Sequence, residues 1–139
     1  MASILVVDDQ ADACRALTRL LQHFGHDATY LISGPDAITY LAQRIPDLLI
    51  CDVMMPGMDG LDVLRVIRSD PRLRKMPVIL FSALTDPNFR AYAIGEGATD
   101  FWIKGSIDFC KLPEKLAPYI PAAENANEES PVSQVRSNN

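Results

Sequence analysis

Short apolar runs alternate with stretches of helical periodicity along most of the chain. The apolar runs have strand length and are nearly continuous, which is typical of strands in a parallel sheet that is covered on both faces. Five such runs occupy residues 3–7, 28–32, 47–51, 77–83 and 99–103. This alternation predicts an α/β fold in which five consecutive βα units share one parallel sheet.

The stretches between the apolar runs carry signals for the start and end of helices. The first has apolar side chains at helical spacing and ends on Gly25. Ser33 and Pro35 suit the N-cap and first turn of the second helix, and Asp86 and Pro87 do the same for the fourth. The predicted helices cover residues 10–25, residues 35–44, a segment from Leu61 to about Ser69, and a segment from Pro87 to about Gly95.

The end of the chain departs from this regular pattern. A last helix is expected within 107–120, but Pro113 and Pro118 fall inside it. A proline in a helix interior costs ~3 kcal/mol, so this helix should be short or bent. From Pro121 onward the composition shifts to Asn, Ser and Glu without aromatic residues. We therefore predict one domain over 1–120 and a disordered tail over 121–139.

Composition narrows the possible functions. The 139 residues carry a net charge of −5, which argues against a domain that binds nucleic acid directly. No apolar stretch approaches the roughly 20 residues of a membrane span, and the N-terminus lacks the features of a signal peptide. The cysteines Cys14, Cys51 and Cys110 are odd in number and lack CxxC spacing, so we expect three reduced thiols in a cytoplasmic protein.

Polar residues follow the ends of four predicted strands. Asp8 and Asp9 follow the first, Asp52 the third, Ser82 lies at the end of the fourth, and Lys104 follows the fifth. Because the carboxyl ends of parallel strands share one edge, these residues should meet in space. Three carboxylates need a compensating cation, and oxygen ligands suit Mg²⁺. Lysine and serine beside such an ion would suit a phosphoryl group.

Each of these residues also has an ordinary structural interpretation. The pair Asp8 and Asp9 could stabilise a helix N-terminus, Asp52 could belong to a turn, and Ser82 could be an ordinary hydroxyl at a strand end. Lys104 could be a solvated surface charge. The occurrence of all of them at four strand ends favours the functional interpretation.

The motifs around these residues resemble the receiver domain of response regulators in two-component signalling. They are VVDD (6–9), DVMMPGMDG (52–60), FSA (81–83) and FWIK (101–104), and the resemblance extends over about residues 3–120. It implies a (βα)5 flavodoxin-like, doubly wound sandwich with helices on both faces and a five-stranded parallel sheet in the order 2-1-3-4-5.

The resemblance also implies roles for the acidic residues. Asp52 would be the phospho-acceptor and a ligand of Mg²⁺, for which Mn²⁺ can substitute. Asp9 would bind the ion directly, Asp8 would support it through water, and the backbone carbonyl of Met54 would complete the protein ligands.

The remaining site residues would stabilise and transmit the phosphorylated state. Lys104 would pair with the phosphoryl group, and Ser82 would be the switch hydroxyl that moves towards it. Phe101 would be the switch aromatic that turns inward, while the neighbouring Trp102 would face the other side of the sheet. Such a change is a population shift between two packed states.

The resemblance implies a signalling protein rather than an enzyme. The phosphoryl donor would be a phosphohistidine of a sensor histidine kinase or phosphotransfer protein, and the output an unknown protein target, with a possible weak homodimer. Met54 and Leu84 flank the pocket with apolar side chains, which predicts slow autodephosphorylation. Gly105 stands where receivers usually carry proline; glycine permits the tight turn there but does not favour a cis peptide.

Several alternatives compete with an active receiver. A flavodoxin-like FMN binder should have a Ser/Thr/Gly-rich loop where this chain has two acids, and an aspartyl phosphatase should have an acid in place of Met54. A pseudo-receiver that only binds proteins, and a receiver cut from a larger regulator or hybrid kinase, remain open. The initial Met1 and a tail that ends without a tag favour a stand-alone receiver.

Overall fold

Strands and helices alternate through the computed structural model, which describes residues 1–120. The predicted disordered tail lies outside these residues. The strands are β1 (Ser3–Val7), β2 (Asp27–Leu31), β3 (Leu48–Asp52), β4 (Val78–Ser82) and β5 (Asp100–Ile103). The helices are α1 (Ala11–His23), α2 (Gly34–Leu41), α3 (Gly60–Ser69), α4 (Pro87–Gly95) and α5 (Leu112–Leu116).

The five strands form one parallel sheet in the order β2-β1-β3-β4-β5. The predicted fold class, a (βα)5 flavodoxin-like doubly wound sandwich, is thereby confirmed. The chain moves to the opposite side of β1 between β2 and β3, so the carboxyl ends of β1 and β3 border a crevice. Val7 pairs with Cys51, which brings Asp8 and Asp52 to the same level of the sheet.

Side chains that alternate along each strand divide the core into two layers. Leu5, Val7 and Leu49 pack with residues of α2, α3 and α4 in one layer. Ile4, Val6, Ile50 and Ile79 pack with residues of α1 and α5 in the other. Both faces of the sheet are therefore covered, which explains why the strands are almost entirely apolar.

Side-chain caps fix the starts of three helices. The predicted caps are confirmed: Ser33 accepts a hydrogen bond from the backbone of Asp36 before α2, and Asp86 accepts one from Asn88 before α4. Asp59 and Asp62 form a reciprocal capping box at α3. The predicted end of α1 was two residues too late, because a turn that includes Gly25 with φ +93° follows the helix. The predicted end of α2 was three residues too late, since that helix ends at Leu41.

The last helix is short, as the prolines predicted. α5 has five residues, and 3-10 turns lie at 104–106, 109–111 and 117–119. Pro113 falls in the first turn of α5, where its missing N–H costs nothing, and Pro118 lies in the final 3-10 turn. Leu112 and Leu116 are nevertheless fully buried beneath this segment. Among residues 1–120, no helix is both long and apolar enough to cross a membrane.

Candidate functional site

The carboxylates predicted to meet do so at the carboxyl edge of the sheet. Asp8 follows β1 and Asp52 ends β3, with 4% and 5% of their surfaces exposed, whereas the adjacent Asp9 is exposed. One carboxylate oxygen from each of the three lies within 4.8 Å of the others. The topology thus gathers three negative groups at the point where the strand order reverses.

Lys104 lies between the two buried carboxylates. Its Nζ donates a hydrogen bond to Asp8 Oδ2 at 2.9 Å and lies 3.3 Å from Asp52 Oδ1. The ammonium group also lies 5.6 Å from the centre of the Phe81 ring, within range of a cation–π contact. Sequence reasoning placed Lys104 beside a phosphoryl group but did not anticipate this bridge between Asp8 and Asp52.

The pKa values of these groups reflect burial and shared charge. Burial, and then the charge of Asp8, raise the pKa of Asp52, and the nearby Lys104 offsets only part of this rise. Burial lowers the pKa of Lys104, but its hydrogen bond to Asp8 and the two carboxylate charges outweigh that effect and raise it. Lys104 therefore remains positively charged, whereas the charged form of Asp52 is disfavoured.

The loop after β3 holds Asp52 in place through its backbone. The backbone N–H of Met54 lowers the pKa of Asp52, while the Met54 side chain is 60% exposed. Gly60 starts α3 against this turn, and its N–H donates to the carbonyl of Val53 at 2.9 Å. A β-carbon on Gly60 would lie 2.4 Å from the carbonyl oxygen of Asp52, so glycine permits this close approach.

The predicted switch residues lie at the ends of β4 and β5. Ser82 is fully buried, and its Oγ accepts a hydrogen bond from the N–H of Leu84 at 3.0 Å. Phe101 is only 5% exposed, and its ring packs edge-on against Phe89 of α4 at 5.8 Å. Phe101 already occupies the inward position in this conformation. Its predicted rotation from an outward position therefore stays a prediction.

Trp102 faces the opposite side of the sheet, as expected from strand alternation. It belongs to the core layer of α1 and α5, whereas Phe101 belongs to the other layer. Phe81 contacts its ring edge-on at 6.4 Å, and Lys115 Nζ lies 5.2 Å from its ring.

Sequence reasoning missed a hydrogen-bond cluster around Asp100 at the opposite end of β5. The carboxylate accepts hydrogen bonds from Tyr119 Oη at 2.6 Å and from Trp102 Nε1 at 3.2 Å, and it pairs with Arg90 at 3.3 Å. Burial raises the pKa of Asp100, but these donors and the N–H of Phe101 outweigh it and lower that pKa. The same hydrogen bond raises the pKa of Tyr119 to about 12. In the run TDFWI the apolar residues predict a strand, but nothing there predicts a role for Asp100.

The three cysteines are free thiols, as predicted. Cys14 and Cys51 are buried near the carboxylates, and Cys110 is exposed. Burial, and then the charge of Asp8, raise the pKa of Cys14 to about 12, while its Sγ donates to the carbonyl of Asp8 at 3.1 Å. Burial likewise raises the pKa of Cys51. The thiols of Cys14 and Cys51 therefore remain protonated and are poor nucleophiles at neutral pH.

The family model of the response regulator receiver domain matches residues 4–117 of the chain. The chain therefore belongs to the response regulator receiver family of two-component signalling. Receiver domains are phospho-acceptors in phosphorylation-activated signalling, and the family is not generally classed as enzymes.

Curated relatives include longer proteins. The response regulator PleD of Caulobacter vibrioides is 40% identical over 103 residues, which are 74% of this chain and 23% of PleD. The DNA-binding response regulator MtrA of Mycolicibacterium paratuberculosis is 33% identical over 132 residues, or 95% of this chain and 55% of MtrA. The chain thus spans about a quarter to about half of these relatives.

Solved structures show the same fold. The signal receiver domain of a signal transduction histidine kinase from Syntrophus aciditrophicus has a TM-score of 0.78 and 28% identity, and covers 98% of this chain and 99% of its own. The chemotaxis protein CheY4 of Vibrio cholerae has a TM-score of 0.79 and 24% identity, and covers 86% and 99%, respectively.

Proposed function

We propose that the chain is a phosphorylation-activated switch that accepts a phosphoryl group on Asp52 in a reaction that depends on Mg²⁺. The observation that supports this proposal most strongly is the convergence of three carboxylates within 4.8 Å beside Lys104. The donor is a phosphohistidine on a sensor histidine kinase or phosphotransfer protein.

The residues present fit a divalent cation. Asp8, Asp9 and Asp52 offer only hard oxygen ligands, and Lys104 compensates one of their three charges. We assign direct contacts to Asp9, Asp52 and the carbonyl of Met54, and a water-mediated contact to Asp8. Mg²⁺, for which Mn²⁺ can substitute, would neutralise negative charge on the phosphoryl oxygens.

For phosphoryl transfer, this chain mainly has to align the reacting groups and compensate their charge. A carboxylate oxygen of Asp52 forms the new P–O bond as the donor's P–N bond breaks, and the imidazole nitrogen keeps the electron pair. Lys104 orients the ionised carboxylate, and both its charge and the backbone N–H of Met54 favour the ionised form. The same lysine then compensates the acyl phosphate, at the cost of weakening its bridge to Asp8.

The new negative charge near Ser82 favours a hydrogen bond from its hydroxyl group. Its Oγ accepts a hydrogen bond from the N–H of Leu84, so the hydroxyl proton is available for donation to a phosphoryl oxygen. Movement of Ser82 towards that oxygen would weaken its contact with Leu84. That movement changes the packing beside Phe101 and Phe89, and hence the surface of α4 and β5. A protein target, or a second copy in a weak homodimer, would bind this changed surface in the cytoplasm.

Acetyl phosphate provides a direct test without the kinase. We expect a phosphorylated species on a phosphate-affinity gel for the wild type with Mg²⁺, and its loss with EDTA or in Asp52→Asn. The exposed residue Asp27 provides a matched control, so Asp27→Asn should behave as the wild type. A wild type that acquires no phosphoryl group would contradict the proposal and favour the pseudo-receiver.

The lifetime of the acyl phosphate tests the apolar flanks of the pocket. Met54 is exposed and Leu84 partly exposed, and neither side chain can hydrogen-bond an attacking water. We expect slow autodephosphorylation, and a several-fold faster loss in Met54→Asn. A wild-type half-life of seconds, measured by the decay of the phosphorylated band, would show that these side chains do not protect the phosphoryl group.

A further inference from the structure

An apolar cavity of about 440 Å³ lies between α1 and the segment that follows β5. Its walls include Leu17 and Leu20 of α1 and Val6, Ile50 and Phe81 of the sheet, with Phe109 from the C-terminal segment. At one end it reaches Asp8, Asp52 and Lys104. The cavity is therefore continuous with the carboxylate cluster.

The short last helix leaves this space unfilled. The segment after Lys104 forms two 3-10 turns before α5 begins at Leu112. Leu112 and Leu116 fill the neighbouring part of the same core layer, whereas Phe109 remains 41% exposed. The volume lies within the usual range of ligand sites, roughly 300–1,000 Å³.

The charges at the polar end select the kind of ligand. Asp8 and Asp52 together carry two negative charges, and Lys104 supplies one positive charge that both already share. The exposed Asp9 adds a further negative charge nearby. A cationic head group would be attracted to this end, whereas an anionic head group would be repelled by the carboxylates.

We propose that this cavity binds a small amphipathic cation, with its apolar body against α1 and Phe109 and its ammonium head at Asp8 and Asp52. Binding does not rest on the proposed phosphorylation, since the cavity and the charges exist without it. The head group and a divalent cation would compete for the same carboxylates. Each should therefore weaken binding of the other by the same factor.

Three naphthalene probes of similar size separate the contributions of body and head. They are 1-naphthylmethylamine, which is cationic at pH 7, neutral 1-naphthalenemethanol and anionic 1-naphthylacetate, each titrated into the full chain by calorimetry without Mg²⁺. We expect the cation to bind at least about tenfold more tightly than the anion, with the alcohol between them. NMR shifts should centre on Leu17, Leu20 and Phe109, and added Mg²⁺ should weaken binding of the cation.

Two variants test the location. Ala16 is an exposed residue of α1 that borders the cavity, so Ala16→Phe should block it and weaken binding of the cation at least about tenfold. The matched substitution Ala91→Phe, at an exposed position of α4, should leave binding unchanged. Circular dichroism would verify that both variants fold.

The proposal is overturned if the anion binds as tightly as the cation, or if folded Ala16→Phe still binds the cation normally. It is also overturned if no probe binds. A changed oligomeric state in Ala16→Phe would then indicate that the cavity is a contact between protein copies. A wild type that binds the cation but accepts no phosphoryl group would disprove the proposed function and leave this inference intact.

Discussion

At the scale of single residues, two buried carboxylates share one ammonium group. Lys104 contacts both Asp8 and Asp52, yet the pKa of Asp52 stays raised because burial and the charge of Asp8 outweigh the lysine. A group whose charged form is disfavoured by folding destabilises the folded state at neutral pH. Asp52, which the proposed chemistry needs, therefore lowers the stability of the folded protein.

Removing the charge of Asp52 should stabilise the protein in the absence of divalent ions. We expect Asp52→Asn to raise the free energy of unfolding by about 1 kcal/mol in EDTA. The substitution removes a buried negative charge, and Lys104 can then pair with Asp8 alone. Urea unfolding at pH 7 measures the effect. With Mg²⁺ the difference should shrink or reverse, because ion binding stabilises the wild type. A variant less stable than the wild type in EDTA would contradict this account.

The hydrogen bond between Tyr119 and Asp100 gives a second prediction, with a distinct pH window. The raised pKa of Tyr119, about 12, means that its neutral form contributes stability below the unfolded pKa of about 10 and loses it as the pH rises towards 12. The lowered pKa of Asp100 means that its contribution is lost in acid. Tyr119→Phe should therefore cost about 1 kcal/mol between pH 6 and 9.

Urea unfolding of the wild type and Tyr119→Phe across pH 5 to 11 would test this window. The difference in unfolding free energy should be constant near neutrality and begin to decrease above about pH 10. A difference that does not change up to pH 11 would mean that the hydroxyl acts by packing rather than through the hydrogen bond.

This cluster also shows why part of the molecule could not be predicted from sequence. Asp8, Asp52, Ser82 and Lys104 were found because each follows a recognisable strand, and parallel topology brings such ends together. Asp100 and Tyr119 meet only because the C-terminal segment folds back onto β5. No local pattern specifies that return, and neither residue stands out by its neighbours.

At the scale of elements, hydrophobic periodicity and capping residues predicted most of the strands and helices. The strands, Ser33 and Asp86 were identified because apolar runs and cap residues act locally. The last helix was harder, because Pro113 and Pro118 suggested a break. A signal that the prediction did not use is the spacing of four between Leu112, Leu116 and Ile120, which all belong to the same core layer.

The junction between β3 and α3 provides the prediction at this scale. In Gly60→Ala the new β-carbon would lie 2.4 Å from the carbonyl oxygen of Asp52 and 2.8 Å from Cα of Val53, so the backbone must shift. We expect a loss of about 1–3 kcal/mol in urea unfolding. Phosphorylation by acetyl phosphate should also slow, because the displaced backbone carries the acceptor.

Gly95 in α4 is the matched control for that substitution. A β-carbon there would meet nothing within 4 Å, and alanine favours helix, so Gly95→Ala should be neutral or stabilising by up to about 1 kcal/mol. Equal losses in the two variants would show that the approach of Gly60 to Asp52 is not the cause.

At the scale of the whole molecule, the sheet connects distant parts of one site and separates two core layers. Asp8, Asp52 and Lys104 are far apart in sequence, yet the register of β1, β3, β4 and β5 brings them together. The layer under α2, α3 and α4 contains Phe101, and the layer under α1 and α5 contains Trp102. Events at the site can therefore affect both faces through adjacent residues of one strand.

The closure of the second layer by α5 gives the last prediction. An isolated helix of five residues is not stable in water, so α5 must be held by burial of its leucines. Leu116 is fully buried, and Leu116→Ala should cost about 2–5 kcal/mol. Ile94→Ala, at a 37% exposed position of α4, should cost no more than about 1 kcal/mol. Urea unfolding compares them, and hydrogen exchange at the Trp102 amide should accelerate in Leu116→Ala if this layer opens first. Equal costs in the two variants would instead mean that the C-terminal segment is peripheral, and that α1 alone maintains this face of the sheet.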